Sequence, residues 1–213
     1  MKKFLTLTLL TALLFACKSG DESKGEEGGG SSAKGTTFEM SNSHTPLDKF
    51  EKKSVVAFKS GLNWNGKRYQ PMIYLAISNQ NEIKFNTTWA NVEMPEEEGE
   101  VIILFKLAGV QFEKGAEPTD IEAGEFNVGE KVVGGDMELS CNVYMKGNAA
   151  DLMMQNATSY KDFTGKATIT NIAKDLVEGT IELTGKDGTT VKVEFSEKIQ
   201  HDFWESEFKG GKA

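Results

Sequence analysis

Three runs near the C-terminus, Ala167 to Ile172, Glu178 to Thr184 and Thr189 to Ser196, alternate apolar or β-branched residues with polar ones. A period of two belongs to the β-strand, whose successive side chains point to opposite faces. Between the last two runs stands Lys186-Asp187-Gly188, and Asp-Gly tolerates the positive φ angles of a tight hairpin turn. Val191, Val193 and Phe195 then share one face with Ile181 and Leu183 as cross-strand partners, while Lys192, Glu194, Glu182 and Thr184 face water. The pattern predicts an antiparallel meander with one buried and one wet side.

The same grammar runs upstream. Val55 to Lys59 and Met72 to Ser78 are predicted strands, with the turn dipeptide Asn65-Gly66 between them. Ile83, Phe85, Thr87 and Trp89 alternate with polar residues and predict a further strand, whereas Val101 to Leu107 is apolar on both faces and suits a central strand. Met137, Leu139, Cys141, Val143 and Met145 would share a strand face, which makes Cys141 a buried, inert thiol. Two stretches depart from the strand pattern. Asn148 to Asn156, containing Leu152, Met153 and Met154, reads as one short helix or a covered loop. Ile199 with Phe203, and Trp204 with Phe208, stand at helical spacing and predict an amphipathic terminal helix. The expectation is an all-β fold of about nine or ten strands over residues 38–213, either an antiparallel β-sandwich or a lipocalin-like barrel, with the sandwich preferred.

The N-terminus carries an address. Met1-Lys2-Lys3 precedes an apolar stretch from Phe4 to Ala16, a basic start and a core too short for a membrane span. Leu14-Phe15-Ala16-Cys17 resembles the lipobox of bacterial lipoproteins. The resemblance implies that residues 1–16 are a signal peptide and that Cys17 carries several acyl chains, enough for durable membrane attachment. Lys18, where an aspartate could stand, is similar to lipoproteins sent on to the outer membrane, and Ser19-Gly20-Asp21-Glu22 resembles the acidic surface-export signals of Bacteroidota. Together they imply an outer-membrane location, with the cell surface ahead of the periplasmic face. Residues 17–37 continue as a Gly/Ser-rich, charged tether with little to bury.

The phrase Phe163-Thr164-Gly165-Lys166-Ala167-Thr168-Ile169-Thr170, then Glu178-Gly179-Thr180-Ile181-Glu182-Leu183, resembles small β-rich lipoproteins of Bacteroidota. In those, such strands close a lipocalin-like barrel or sandwich. Ile121-Glu122-Ala123-Gly124-Glu125-Phe126 reads as a similar strand start. These families are mostly without assigned function, so the resemblance carries no binding residue across.

Composition narrows function by exclusion. The formal charge is −8, and loss of Lys2 and Lys3 with the signal deepens it. Basic residues are dispersed among acids and Arg68 is the lone arginine, which disfavours nucleic acid and anionic headgroups. With Cys17 acylated, Cys141 has no partner for a disulfide. His44 and His201 show no metal-ligand spacing and read as incidental, and neither a nucleophile-elbow pentad nor a phosphate-binding loop occurs. No cofactor and no metal are expected. The glutamates of Glu93 to Glu100 read as a solvated loop, a calcium-binding loop being the sharper alternative.

Two aromatic groups remain as contacts for a partner or ligand. Trp64, Arg68 and Tyr69 cluster around the Asn65-Gly66 turn, and Phe203, Trp204 and Phe208 stand on the terminal segment. The expected function is non-enzymatic: an anchored β domain that binds another envelope protein as an accessory subunit. The alternatives are a lipocalin-like module for glycan or lipid and a hydrolase built on paired carboxylates.

Overall fold

The computed structural model describes residues 33–41, 47, 49–64, 66–87, 90–129, 138–146, 163–186 and 188–204, all within one compact unit, Ser31–Ala213. Cys17, His44, Phe208, the Leu152-Met153-Met154 segment and the side chain of Trp64 lie outside the described residues. The strands are β1 (Thr37–Ser41), β2 (Ser54–Trp64), β3 (Arg68–Ser78), β4 (Phe85–Asn86), β5 (Asn91–Val92) and β6 (Val101–Ala108). They continue as β7 (Phe112–Glu113), β8 (Gly124–Asn127), β9 (Leu139–Met145), β10 (Phe163–Ala173), β11 (Leu176–Gly185) and β12 (Thr190–Asp202).

Ten of these strands form one sheet in the order β8-β10-β11-β12-β2-β3-β6-β9, with β1 added beside β12 and β7 beside β3. Val128, just past β8, bridges Leu139 at the start of β9, and the Asn127 N–H donates to the Glu138 carboxylate at 3.0 Å. The two ends of the order thus meet, and the fold is a nearly closed, barrel-like, all-β sheet. This nearly closed, barrel-like sheet is consistent with either of the two architectures left open by the sequence. Strand β12 is what makes it continuous. Its first part pairs with β11 and β1, and its end pairs in parallel with β2 from Ile199 to Asp202, across an irregularity between Ile199 and His201.

The predicted hairpins are present and longer than expected. β2 and β3 pair from Ser54↔Ser78 to Trp64↔Arg68, and Gly66 in the turn adopts φ 67°, the left-handed region that glycine enters without cost. β11 and β12 pair from Leu176↔Lys198 to Thr184↔Thr190.

Side-chain alternation builds two apolar clusters. Ala57, Ile73, Leu75, Ile103, Phe105, Cys141, Ile181, Val193 and Phe195 meet in the barrel interior. The opposite face of β2, β3, β6 and β9 forms a second cluster, with Val56, Phe58, Tyr74, Ile102, Leu104 and Tyr144 covered by Ile83, Ala90, Val92 and Phe203. Cys141 is buried as expected, and desolvation pushes its thiol up to about 12, so it stays protonated and unreactive.

Two expected elements change. Among the described residues, the alternation that begins at Ile83 contributes only the two-residue β4, paired with β5 outside the main sheet, and Thr88 and Trp89 lie outside the described residues. Ile83 is buried there because the segment lies flat on the outer sheet face instead of extending the sheet edge. The terminal helix expected from Ile199 does not begin there: Ile199 to Asp202 are the last part of β12, helical backbone appears only at Phe203 and Trp204, and the rest of that stretch lies outside the described residues. A four-residue spacing fits a helix, but ladder hydrogen bonds to Ala57, Phe58 and Lys59 hold this segment extended.

Candidate functional site

One end of the barrel collects the end of β2, the start of β3, the end of β6, the β10–β11 turn and the end of β12. On β2, Val56 and Phe58 belong to the outer cluster and Ala57 to the interior, so Lys59 falls on the interior face. Its side chain is 6% exposed. An ammonium this buried requires a partner, because desolvation of a bare charge is far costlier than desolvation of a paired one. Asp120 supplies it, with Oδ2 accepting from Lys59 Nζ at 3.2 Å. Asp202 stands beside Lys59 in the β12–β2 register.

The chain between β7 and β8 brings Asp120 to this position. Ile121, 4% exposed, is buried among the interior residues and anchors the segment. Its N–H donates to Asp120 Oδ1 at 2.8 Å, which fixes the carboxylate. Further back, Gly109 N donates to the Pro71 carbonyl and Gln70 Nε2 donates to the Gly109 carbonyl, each at 2.9 Å. These bonds tie the loop base to β3.

Lys59, Asp120 and Ile121 form one wall of an open cavity of about 510 Å³, and Thr170 to Lys174 form the other. The segment Thr119 to Ala123 separates it from a second space of about 390 Å³ bounded by Ala108, Val110, Phe126 and Glu138. Thr170 and Asn171 are oriented by Glu178, whose backbone carbonyl and carboxylate accept their hydrogen bonds at 3.2 and 2.9 Å. Hydrogen bonds from Asn171 and Ser196 hold the Glu178 carboxyl below its ordinary range. The site offers an ammonium donor and carboxylate acceptors side by side, between walls that mix polar residues with Ile121, Ala123, Ile172 and Ala173.

The residues singled out from sequence separate into two groups. Arg68 Nε donates to Glu113 Oε1 at 2.8 Å on the exposed rim of this same barrel end, and Tyr69 stacks on Phe112 with centroids 5.9 Å apart. Phe203 and Trp204 are instead buried, at 8% and 1% exposure. Phe203 packs edge-on to Phe58 on the outer face. Trp204 meets Phe112 edge-on and fills the space over Gly61, where a Cβ would lie 2.5 Å from its ring carbons. Both aromatics therefore dock on this chain's own sheet and are not presented as partner contacts. His201 stacks on Phe203 and lies against Phe85, as part of the same aromatic cover.

The glutamate-rich loop organises itself. The Glu100 carboxylate accepts from Gln80 Nε2 at 2.7 Å and from the N–H groups of Glu96 and Glu97 at 3.2 and 3.0 Å. These bonds, that of Gln80 first, lower its pKa. Among the described residues, no three His, Cys, Asp or Glu side chains converge to hold a metal ion.

Lys59 was missed as a site residue, although its signal was legible: it shares strand parity with Val55 and Ala57, which puts a charge on an apolar face. Comparison with protein-family models, curated proteins and solved structures found no match.

Proposed function

We propose that this chain is a lipid-tethered, non-enzymatic binding module of a bacterial outer envelope, and that it recognises a small ligand at the end of its barrel. The signal-like leader and Cys17 support the tether. The observation that carries the recognition site is the Lys59 side chain, 6% exposed, lining an open cavity of about 510 Å³. Charged groups are rarely buried without a structural or functional use, and a concave space with a few convergent polar groups is the usual form of a ligand site. The position differs from a lipocalin-like central cavity, because the barrel's midsection is filled by side chains such as Phe105, Leu75 and Ile181. Asp120 is engaged by Lys59 and by a backbone N–H, which favours recognition over proton transfer.

A second reading, accessory subunit of an envelope assembly, draws on the exposed Arg68–Glu113 pair and the Tyr69–Phe112 stack at the same end. Purification of the full-length protein from native membranes in mild detergent, followed by native mass spectrometry, separates the two. A co-purifying small molecule supports the ligand reading, and a stoichiometric protein supports the second. Replacing Cys17 by Ser is expected to move the protein to the soluble fraction; a variant that stays with membranes would overturn the lipid tether.

A further inference from the structure

We infer that the Lys59–Asp120 cleft takes a neutral, polyhydroxylated ligand, a sugar or a sugar-like polyol; this rests on reading the barrel end as the recognition site. The argument begins with unfilled hydrogen-bonding capacity. A lysine ammonium has three donors, and among the described residues Lys59 gives one of them to Asp120 Oδ2. Among the described residues, each Asp120 oxygen accepts one protein hydrogen bond, from Ile121 N or from Lys59 Nζ, and a carboxylate oxygen has room for a second. Free donors and free acceptors therefore stand about one hydrogen-bond length apart at the edge of the cavity.

The charges decide what can satisfy them. Lys59 and Lys174 balance Asp120 and Glu122 around the cavity. An anion drawn to Lys59 would lie against Asp120, and a cation drawn to Asp120 would lie against Lys59, so either meets a like charge in a partly desolvated place. A hydroxyl group meets neither penalty. It accepts from the ammonium and donates to the carboxylate, and two neighbouring hydroxyls on a ring can bridge the pair. Ile121, Ile172, Ala123 and Ala173 supply apolar wall for the C–H faces of such a ring. The polar grip is also fixed in advance, since Asp120 is held by the backbone and Lys59 by burial, which limits the ordering cost on binding.

Saturation-transfer NMR on the detergent-solubilised full chain tests this, with glucose, galactose and N-acetylglucosamine as neutral probes. Glucuronate, glucosamine and octanoate serve as charged or apolar counterparts. The expected result is transfer to at least one neutral sugar, reduced at least fivefold for its charged counterpart and at least fivefold by Asp120→Ala or Lys59→Met. Asp120→Ala leaves the buried Lys59 ammonium without its partner, so Lys59→Met, which removes that charge, is the second variant, and both are compared with wild type by thermal unfolding. Transfer to none of the neutral sugars overturns the inference. If octanoate or glucuronate then shows transfer that Lys59→Met abolishes, the cleft stands as the recognition site and the ligand class alone is wrong. If no probe responds to either substitution, the recognition site falls as well.

Discussion

The two halves of this barrel are made of similar strands under different conditions of burial. In β11 and β12 the pattern alternates, with Ile181, Leu183, Val191 and Val193 buried and Glu182, Thr180, Lys192 and Glu194 in water. In β3 every residue from Gln70 to Ser78 is buried, and in β6 all but Lys106 are. One half therefore has a solvent face, while the other is the middle layer of three, covered outside by residues from the 79–100 segment and by Phe203. Sheet pairing explains the barrel, but this outer cover explains why the β3–β6 half is apolar on both sides.

If the outer cluster is a true second core, the largest effect comes from Phe58, which is 0% exposed, stacks on Tyr74 at 4.7 Å and meets Phe85 edge-on. Phe58→Ala is expected to cost about 3–5 kcal/mol, read from the urea midpoint at unchanged slope. A loss below about 1 kcal/mol would show that the 79–100 cover is only loosely applied and would erase the contrast between the halves.

On the single-cored side the sensitive point is close approach of backbones. A Cβ at Gly179 would stand 2.2 Å from the Thr168 carbonyl oxygen and 2.7 Å from the Phe195 ring. Gly179→Ala is expected to destabilise by about 1–3 kcal/mol, whereas the neighbouring outward position, Thr180→Ala, should stay within about 0.5 kcal/mol. Equal thermal shifts for the two variants would contradict the one-faced burial of β11.

The smallest effect concerns how the cover is tied down. The folded-state pKa of Glu100 is depressed by Gln80 and the loop backbone, so its contribution is fully present above the ordinary value near 4.5. That contribution is lost as pH falls through the lower folded value. Acid titration should show wild type and Glu100→Gln separated by a small constant amount down to about pH 4.5, and converging from there to the lower folded value. A gap that widens on acidification would reverse the assigned sign.

Legibility in the sequence followed the solvent. β11 and the first part of β12 could be read to within a few residues because one face meets water and forces alternation, and β6 because it is apolar on both faces. The segment from Ile83 misled because a chain lying flat on a sheet can also alternate, burying Ile83 and half-burying Phe85 on either side of an exposed Lys84 without joining the main ladder. Ile199 and Phe203 misled because a spacing of four suggests one helix face, whereas Ile199 packs on the interior cluster from within β12 and Phe203, just past the strand, covers the outer one. Arg68 and Tyr69 were placed correctly at a turn, yet nothing local distinguished the exposed Arg68 and half-buried Tyr69 from the buried Phe203 and Trp204. The charge on the interior face of β2 was visible, but its partner lies 61 residues away.

The sequence by itself determined the strand content and its hairpins, because side-chain parity and turn chemistry act over neighbouring residues. Tertiary structure decided the closure of the sheet through β12, the second apolar layer and the Lys59–Asp120 cleft. Each of these depends on which distant residue arrives at a given face, and long-range packing settles that by burying apolar surface and leaving no buried charge without a partner.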